Sequence, residues 1–281
     1  MQSVVVTGVS TGIGWGCAKV LIGKGFRVFG SVRKATDAAR LSAEFGPNFV
    51  PLTFDVTDEA AVRAEAARVR EILGGELLAG LVNNAGVAVA GPLLHLSIDD
   101  FRQQIEINLT GVVIVTQAFA PLLGAEPGAS GKPGRIVNIS SVGGKNATPF
   151  LGPYSASKFA LEGLSESLRR ELMLFGVDVI VVAPGAVATP IWAKAEQLDL
   201  TPYANTAYAP ALTRIRDYMV ASGAKGLKPE VLGEAVFKAL TIPNPKVRYT
   251  VTPSPIEGLM TALMPKRMMD RAIGQRLGLV A

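Results

Sequence analysis

Short runs of apolar and β-branched residues alternate along the chain with longer stretches in which apolar residues recur every three to four positions. The first pattern is typical of strands and the second of helices, so their regular alternation predicts βα units around a parallel sheet. Several runs have no polar face, as expected for strands covered by helices on both sides. The strand candidates are SVVVTG, FRVFGSV, NFVPLTFDV, LLAGLVN, GRIVNIS, VDVIVVAP and KVRYTV.

Helical periodicity lies between these runs. We predict helices near residues 12–24, 37–45, 58–74, 98–124, 152–176 and 229–241. Asp58 stands where its side chain can cap the first turn of the third helix, and Gly74 with Gly75 can end that helix in left-handed conformations. The Gly-, Pro- and Ser-rich stretch Gly124–Gly134 predicts a surface loop. The fold class is therefore α/β, a doubly wound parallel sheet of the Rossmann type.

The 281 residues show no internal repeat and no break in composition, which predicts a single domain over 1–281. Over about 189–226 the periodicity weakens among prolines and aromatic residues, and we predict a segment that covers a substrate site. Its apolar side chains would indicate an apolar substrate if they face a ligand, although they could equally cover the core. They are Ile191, Trp192, Leu198, Tyr203, Tyr208, Leu212 and Met219.

Charge and cysteine content narrow the function classes. The net charge is +5, but the basic residues are scattered and form no block interleaved with aromatics, which argues against nucleic-acid binding. Cys17 is the only cysteine, so neither an internal disulfide nor a thiolate metal cluster can form. The N-terminal residues lack the pattern of a signal peptide, and no apolar run approaches the roughly 18 residues of a membrane span. We expect a cytoplasmic protein without a transmembrane segment, while peripheral attachment through the C-terminal segment stays open.

The stretch TGVSTGIG, residues 7–14, joins the first strand to the first helix. Glycines there let the backbone approach a pyrophosphate, and the helix N-terminus offers free N–H groups to it. The glycine spacing is G-x-x-x-G-x-G, which differs from the general dinucleotide fingerprint, and such a turn can also be purely structural. The residues that we predict to contact a dinucleotide are Gly8, Ser10, Thr11, Gly12, Ile13 and Gly14.

The end of the second strand bears on the choice of cofactor. An acidic residue there would bind a ribose 2′-hydroxyl, whereas an arginine accommodates a 2′-phosphate. Val32 occupies the position of the acid, and Arg33 and Lys34 follow it. This favours NADP(H). NAD(H) stays open because Asp37 is close in sequence and Arg33 could be an ordinary solvated charge.

Tyr154 and Lys158 lie four positions apart in a predicted helix and therefore project from the same face. An ammonium group lowers the pKa of a neighbouring phenol, so Tyr154 could exchange a proton at neutral pH. The pair alone could be surface packing. However, Ser141 ends the preceding strand, and open α/β sheets bind ligands at the carboxyl ends of their strands. A serine there can hydrogen-bond a substrate oxygen, and Lys158 can also reach the nicotinamide ribose.

An ordered set of motifs extends this pattern. After TGVSTGIG come DVTD from Asp55, NNAG from Asn83, INLTG from Ile107, NISS from Asn138, YSASK from Tyr154 and PGAVAT from Pro184. With this set the chain resembles the short-chain dehydrogenase/reductases over nearly its whole length. The resemblance implies a seven-stranded parallel sheet in one domain and a catalytic serine thirteen residues before the tyrosine, which is Ser141. It also implies that Tyr154, Lys158 and Asn108 complete the catalytic set.

The same resemblance implies a cofactor site, with Asp55 and Val56 at the adenine. The remaining contacts that it implies are Asn83, Ala85, Gly86, Pro184, Gly185, Val187 and Thr189. The region around Tyr154 looks most like the branch of 17β-hydroxysteroid dehydrogenase-like enzymes, which supports NADP(H) and an apolar alcohol or ketone. The family likeness further suggests a homodimer or homotetramer packed through the helices near 98–124 and 152–176.

Our hypothesis is a reversible hydride transfer between a nicotinamide and a carbonyl carbon, without a metal. Tyr154 would give the proton, Ser141 would donate a hydrogen bond to the same oxygen, Lys158 would keep the phenol acidic, and Asn108 would tether a water. His95, the only histidine, is expected at the rim. Two alternatives stay open: an NADP(H)-binding sensor or regulatory subunit without chemistry, and an epimerase or dehydratase, for which the C-terminal part is short.

Overall fold

A sheet of seven parallel strands forms the centre of the molecule, with the strand order β3-β2-β1-β4-β5-β6-β7. The computed structural model describes residues 1–190, 196–197, 199–254 and 264–280. The strands are β1 Ser3–Val6, β2 Arg27–Val32, β3 Phe49–Thr53, β4 Gly80–Asn83, β5 Arg135–Ile139, β6 Asp178–Pro184 and β7 Arg248–Val251. Each lies within one of the predicted runs, so the predicted parallel α/β sheet is confirmed.

Helices cover both faces of this sheet. They are α1 Gly12–Gly23, α2 Ala35–Phe45, α3 Glu59–Leu73, α4 Ile98–Ile105, α5 Gly111–Phe119, α6 Gly152–Glu171, α7 Ala209–Ala224, α8 Pro229–Thr241 and α9 Lys266–Leu277. A π-helical turn, Glu106–Thr110, joins α4 to α5. Short 3₁₀ turns lie at Gly46–Asn48, Ala120–Leu123, Val142–Gly144, Leu172–Phe175 and Thr201–Tyr203.

The predicted helix signals act as the sequence indicates. The Asp58 carboxylate accepts a hydrogen bond from the Ala61 N–H at 3.0 Å, and Gly74 ends α3 in the left-handed conformation. The pattern did not predict α7 and α9. In α7 the proline occupies the first turn, where the missing N–H is not needed, so it does not interrupt the helix.

Alternate residues of the strands supply two cores. Val4 and Val6 of β1 pack with α1 and α8, while Val5 packs with α3 and α5 on the other face. The helices α1 and α8 approach closely because Gly16 has no side chain: a Cβ on it would lie 2.5 Å from the backbone carbon of Pro229. Both faces are therefore apolar, which explains why the strand runs lack polar alternation.

A third apolar cluster lies outside these layers. Its buried members come from the loop before α6, from α7 and from the end of α9, and they are Phe150, Ala211, Leu212, Ile215 and Leu277. Tyr203, Tyr208 and Met219 pack against the cluster and are partly buried. The periodicity of α7 is thus directed at a small local core rather than at the sheet, which explains why its pattern looked weak.

The continuous helical segment Ile98–Leu123 comprises α4, the π turn, α5 and a 3₁₀ turn. Among the described residues it is the one helix long and apolar enough to cross a membrane by length and composition. The hydropathy pattern had predicted no apolar segment of that length. However, 39% of its apolar window is buried inside the fold, and Val115 and Phe119 belong to the core beneath the sheet. Core helices meet the same criterion, so it is weak support for a membrane span.

Candidate active site

Ser141 stands just beyond the carboxyl end of β5, between the β4 and β6 neighbours of that strand. Its backbone is extended, and its Oγ accepts a hydrogen bond from the Gly143 N–H at 2.9 Å, which starts the 3₁₀ turn Val142–Gly144. The side chain is 8% exposed. The strand end and the turn thus hold the hydroxyl at the edge where open α/β sheets bind ligands.

Helix α6 brings Tyr154 and Lys158 to the same place. The Tyr154 ring lies beside the turn after Ser141, since a Cβ on Gly143 would be 3.4 Å from its Cε1. Lys158 is buried, and its Nζ donates a hydrogen bond to the Ile139 carbonyl at 2.8 Å. The same Nζ is 5.9 Å from the centre of the Tyr154 ring. Three of the predicted catalytic side chains are therefore neighbours at the end of β5.

The charge states in this site differ from the sequence-based expectation. Burial raises the pKa of Tyr154, and a side-chain hydrogen bond with Ser141 offsets part of that rise. The pKa of the phenol is thus shifted opposite to the expected direction, and the charge of Lys158 is not among the causes of the shift. The reason is that the ammonium is directed to the Ile139 carbonyl and is itself destabilised: burial lowers the pKa of Lys158 to about 8, against the attraction of Glu162.

Asn108 lies in the π-helical turn, a feature that often marks functional positions in helices. Its Oδ1 accepts a hydrogen bond from the Val87 N–H at 2.9 Å, and its Nδ2 donates to the Val87 carbonyl at 3.0 Å and to the Ser157 Oγ at 3.2 Å. Gly86 packs closely here, since a Cβ on it would lie 3.1 Å from the Asn108 Oδ1. Asn108 therefore connects the segment after β4 to α6, rather than offering a free amide.

The glycine-rich turn has the geometry of an anion-binding loop. Gly8 and Gly12 have φ angles of +69° and +63°. A Cβ on Gly14 would lie 2.2 Å from the Gly8 carbonyl oxygen, so the turn can close only without that side chain. Thr11 makes no side-chain cap to α1, and the first turn of α1 contains no acidic residue. The first N–H groups of α1 are thus suited to a phosphate, which fits a dinucleotide.

Two residues that support this turn were not predicted. Asn84 donates from Nδ2 to the carbonyls of Thr7 at 2.8 Å and Gly8 at 3.1 Å. Arg40 donates from Nη2 to the Ser10 carbonyl at 2.7 Å. The only sequence signal for Asn84 was its place in the NNAG motif. Arg40 had none, because it is 30 residues from Ser10 and reaches it only through the fold.

The predicted adenine side shows two kinds of residue. Val56 and Ala85 line a small recess at the carboxyl end of β4. Asn83 instead directs its amide into the sheet, where Nδ2 donates to the Thr116 Oγ1 at 3.1 Å and to the Asn138 Oδ1 at 2.9 Å. Asn83 therefore lines the same recess, and its side chain also links β4 to α5 and β5.

Arg33 and Asp55 are neighbours at the ends of β2 and β3. The Arg33 Nη1 is 3.7 Å from an Asp55 carboxylate oxygen, and the Arg33 side chain is 69% exposed. Asp55 is oriented by Thr57, whose N–H and hydroxyl donate to its Oδ1 at 3.1 and 2.9 Å. The arginine is therefore available to a ligand, while the carboxylate is fixed by its own loop.

The segment after β6 returns to the glycine-rich turn. Pro184 ends β6, and the Gly185 N–H donates to the Val251 carbonyl at 2.9 Å. Val187 is buried and forms an isolated parallel bridge with Leu227. Thr189 then lies against the turn, since a Cβ on Gly12 would be 3.3 Å from its Cγ2. Both predicted halves of the cofactor site thus meet.

The predicted substrate-covering segment is described in part. A Cβ on Gly91 would lie 2.6 Å from the Tyr203 hydroxyl oxygen, and the Tyr208 ring is 5.8 Å from that of Phe150 and 5.9 Å from that of His95. These contacts join the segment to the loops after β4 and before α6. Leu212 and Met219 belong to the same cluster. Ile191, Trp192 and Leu198 lie outside the described residues.

A family model described as short chain dehydrogenase matches residues 2–199. The chain belongs to the short-chain dehydrogenase family. An NADPH-dependent 3-dehydrocapnine reductase from Ornithobacterium rhinotracheale is 39% identical over 272 residues, which are 96% of this chain and 95% of the relative. The predicted family resemblance is confirmed, and the protein is an oxidoreductase of CH–OH and C=O groups.

Solved structures agree with this assignment. A short-chain dehydrogenase from Streptomyces avermitilis superposes with a TM-score of 0.79 at 27% identity, over 98% of this chain and 96% of that one. The closed form of a serine dehydrogenase complexed with NADP⁺ has a TM-score of 0.73 at 26% identity, over 90% of this chain and 95% of the other. The similarity therefore extends beyond the matched residues 2–199 into the C-terminal part.

Proposed function

We propose that the protein interconverts an apolar ketone and a secondary alcohol with NADP(H). The observation that carries this proposal is the meeting of Ser141, Tyr154 and Lys158 at the carboxyl end of β5. A phenol, a hydroxyl and an ammonium group together can hydrogen-bond and protonate one carbonyl oxygen. The glycine-rich turn of the same sheet fits the pyrophosphate of a dinucleotide.

In the direction of reduction, the Tyr154 phenol donates its proton to the substrate oxygen. Its raised pKa keeps the phenol protonated at neutral pH, which is the form that reduction requires. The Ser141 hydroxyl donates a hydrogen bond to the same oxygen and stabilises the negative charge that develops there. Lys158 adds a positive charge while its ammonium is protonated, below pH about 8. A bound NADPH supplies the hydride.

NADP(H) is the favoured cofactor because the charges near β2 suit a 2′-phosphate. Arg33 is exposed at the end of β2, and Val32 is buried where an acid would bind a 2′-hydroxyl. Asp37, which kept NAD(H) open, lies 3.3 Å from Arg40 in an ion pair that offsets its charge. The reductase relative is named as NADPH-dependent, and the serine dehydrogenase structure holds NADP⁺.

An apolar substrate is supported by the side chains around the opening. Leu93 and Leu94 are exposed in the loop after β4, and Tyr203 and Tyr208 lie over the same loop through Gly91 and His95. Aromatic and aliphatic side chains of this kind favour ligands without charge at the reacting end. The segment 189–226 would then cover the substrate within a single domain of 1–281.

The test is oxidation of NADPH, followed by absorbance, with a panel of apolar ketones that differ in chain length. We expect turnover with at least one ketone and tighter binding of NADPH than of NADH in a titration without substrate. Tighter NADH binding would overturn the cofactor assignment. Binding of NADPH without oxidation by any ketone would favour the alternative, a sensor or regulatory subunit.

Two further proposals concern the cellular compartment and the oligomeric state of the enzyme. Its only cysteine, Cys17, is buried in the core and burial raises the pKa of its thiol to about 12, which is compatible with a reducing cytoplasm. A homodimer or homotetramer through the helical regions α4–α5 and α6 is supported by two exposed apolar side chains, Ile98 at the start of α4 and Phe159 on α6. Fractionation of cells and sedimentation of the pure protein test these two proposals.

A further inference from the structure

An ion pair between Glu162 and Arg248 joins α6, the helix that carries Tyr154 and Lys158, to β7. The Arg248 Nε lies 3.2 and 3.1 Å from the two carboxylate oxygens of Glu162. The two side chains are 18% and 16% exposed. Every other ion pair between described residues has at least one side chain more than 30% exposed. This ion pair is therefore the one whose attraction solvent screens least.

The pair also contacts the loop that carries the serine. The Arg248 Nη2 donates to the Ser141 carbonyl at 3.4 Å, and the Gly144 N–H donates to the same oxygen at 3.0 Å. A Cβ on Gly144 would lie 3.1 Å from the Glu162 Cγ, so the glycine lets the carboxylate side chain pass close to the turn. Arg248 thus connects the backbone of Ser141 to the helix that carries Tyr154 and Lys158.

The ion pair also affects the charge of Lys158, because Glu162 interacts with the Lys158 ammonium. Glu162 follows Lys158 by one turn of α6, and its negative charge favours the ammonium against burial. Arg248 pairs with that carboxylate and brings a positive charge to it. On α6 itself the other titratable neighbour is Tyr154. The charged side chains of the elements packed against α6 are exposed or lie at the far end of β6: Asp99, Asp100, Arg102, Glu106, Lys145 and Asp178.

We propose that Arg248 and Glu162 are positioning residues for hydride transfer: the pair holds the Ser141 backbone against α6 and balances the charge beside Lys158. This inference rests on the proposed function, because it assigns Ser141 and Lys158 their roles. Neither side chain needs to touch substrate. Both act through the residues that do.

The kinetics of three variants test whether the pair holds the Ser141 backbone in position. In Arg248→Met the Ser141 carbonyl loses its contact, and we expect kcat to fall about 10-fold with KM for NADPH within about two-fold, since small displacements of reacting groups are costly. Arg248→Lys retains the charge but cannot contact Glu162 and the Ser141 carbonyl with separate nitrogens, and it should recover part of kcat. Glu162→Gln removes the negative charge while keeping the shape of the side chain.

Matched controls come from the same helix. Glu166 and Arg170 form an exposed ion pair one turn apart on α6, with side chains 52% and 64% exposed. Glu166→Gln and Arg170→Met make the same charge changes, and we expect kcat within about two-fold of the parent. Equal losses in the control and test variants would overturn the positioning role of Arg248.

A titration of Lys158 tests the second half without cofactor or turnover. In protein labelled with ¹³C at lysine Cε, the resonance that titrates near pH 8 is assigned by its loss in Lys158→Arg. Glu162→Gln should lower the pKa of Lys158 by about one pH unit, and Arg248→Met should raise it, because the two remove opposite charges. Arg248→Lys should leave it near the parent value. Shifts in the same direction, or none, would overturn the inference.

The two failures are distinguishable. If the parent oxidises NADPH with no ketone but Lys158 responds in opposite directions to the two variants, then the proposed function fails and the charge balance stands. If the parent turns over normally and Lys158 does not respond, then the inference fails alone. Should Arg248→Met not fold, the Glu162→Gln shift together with the kcat of Arg248→Lys decides the outcome.

Discussion

The protonation of Tyr154 and Lys158 follows from how far both side chains are removed from water. Withdrawal from solvent favours the neutral form of each group, so it raises the pKa of the phenol and lowers that of the ammonium. Ser141 and Glu162 act in the opposite sense at the two sites, through a hydrogen bond and a negative charge respectively. The pair is therefore better described as a buried phenol in its protonated form beside an ammonium group that burial destabilises than as a phenol made acidic by its neighbour.

This state predicts a pH dependence of stability. The pKa of Lys158 is about 8 in the folded protein, against 10.5 for an ordinary lysine. Between these two pH values the unfolded chain therefore binds more protons than the folded protein. The free energy of unfolding should therefore rise with pH in this window, relative to Lys158→Met, by about 2 kcal/mol from pH 7.5 to 9.5. Urea unfolding of both proteins at matched concentration measures the difference. A constant or falling difference would contradict the burial of a titrating lysine.

The glycines of this protein differ in how much space a Cβ would have, and Gly14 and Gly163 lie near opposite ends of that range. Gly14 lies in the first turn of α1, where an added Cβ would be 2.2 Å from the Gly8 carbonyl oxygen, whereas Gly163 lies in the middle of α6 with no atom within 4 Å of an added Cβ. The first glycine lets the glycine-rich turn close against α1. The second has no such function in the described contacts.

Alanine substitutions should separate these two glycines. Gly14→Ala places a Cβ 2.2 Å from backbone, and we expect about 3 kcal/mol of destabilisation or failure to fold, with loss of NADPH binding. Gly163→Ala should stabilise the protein by about 0.5–1 kcal/mol, because alanine favours helix and meets no neighbour. Chemical unfolding measures both. A tolerated Gly14→Ala with normal NADPH binding would contradict the geometry of the turn.

Predictability from sequence follows the range of the interactions involved. The seven strands and the helices around them were predictable, because buried faces impose a period on the residues that form them. Helices α7 and α9 were not, since they pack on the small cluster around Phe150 and Leu277. The sign of the Tyr154 pKa was also out of reach, because desolvation depends on the surroundings that the whole fold creates.

Contacts between distant residues set the same limit at the site. The motifs indicated Ser141, Tyr154, Lys158 and Asn108, and the fold brings the first three together. No local pattern could indicate Arg248, which is 107 residues from Ser141 and meets it only because β7 joins the edge of the sheet. The supporting residues of a site are therefore less visible in sequence than the groups that react.

Two of the helices that cover the sheet, α4 and α6, each have an apolar side chain on the surface. Phe159 is 45% exposed on α6 and Ile98 63% exposed at the start of α4. We expect a homodimer or homotetramer that buries this face, since an exposed aromatic often marks an interface. Tyr154 lies on α6, and α4 leads into the π turn that carries Asn108, so this face is close in sequence to two of the predicted site residues.

Phe159→Glu tests this assembly. The charge should weaken association at least about 10-fold, observed as a smaller species by sedimentation velocity. Val231→Glu is the matched control, because Val231 is a similarly exposed apolar residue, at 41%, on α8. A monomeric parent, or equal effects of both substitutions, would contradict an interface at α6.

The most direct test of the account is single-turnover hydride transfer in Tyr154→Phe. This substitution removes one hydroxyl and keeps the ring that packs beside Gly143. We predict an unchanged fold by circular dichroism, NADPH affinity within about three-fold, and a hydride-transfer rate at least about 10³-fold below the parent, as expected for loss of a general acid. A rate equal to that of the parent, with NADPH bound, would contradict the role of Tyr154 as the proton donor.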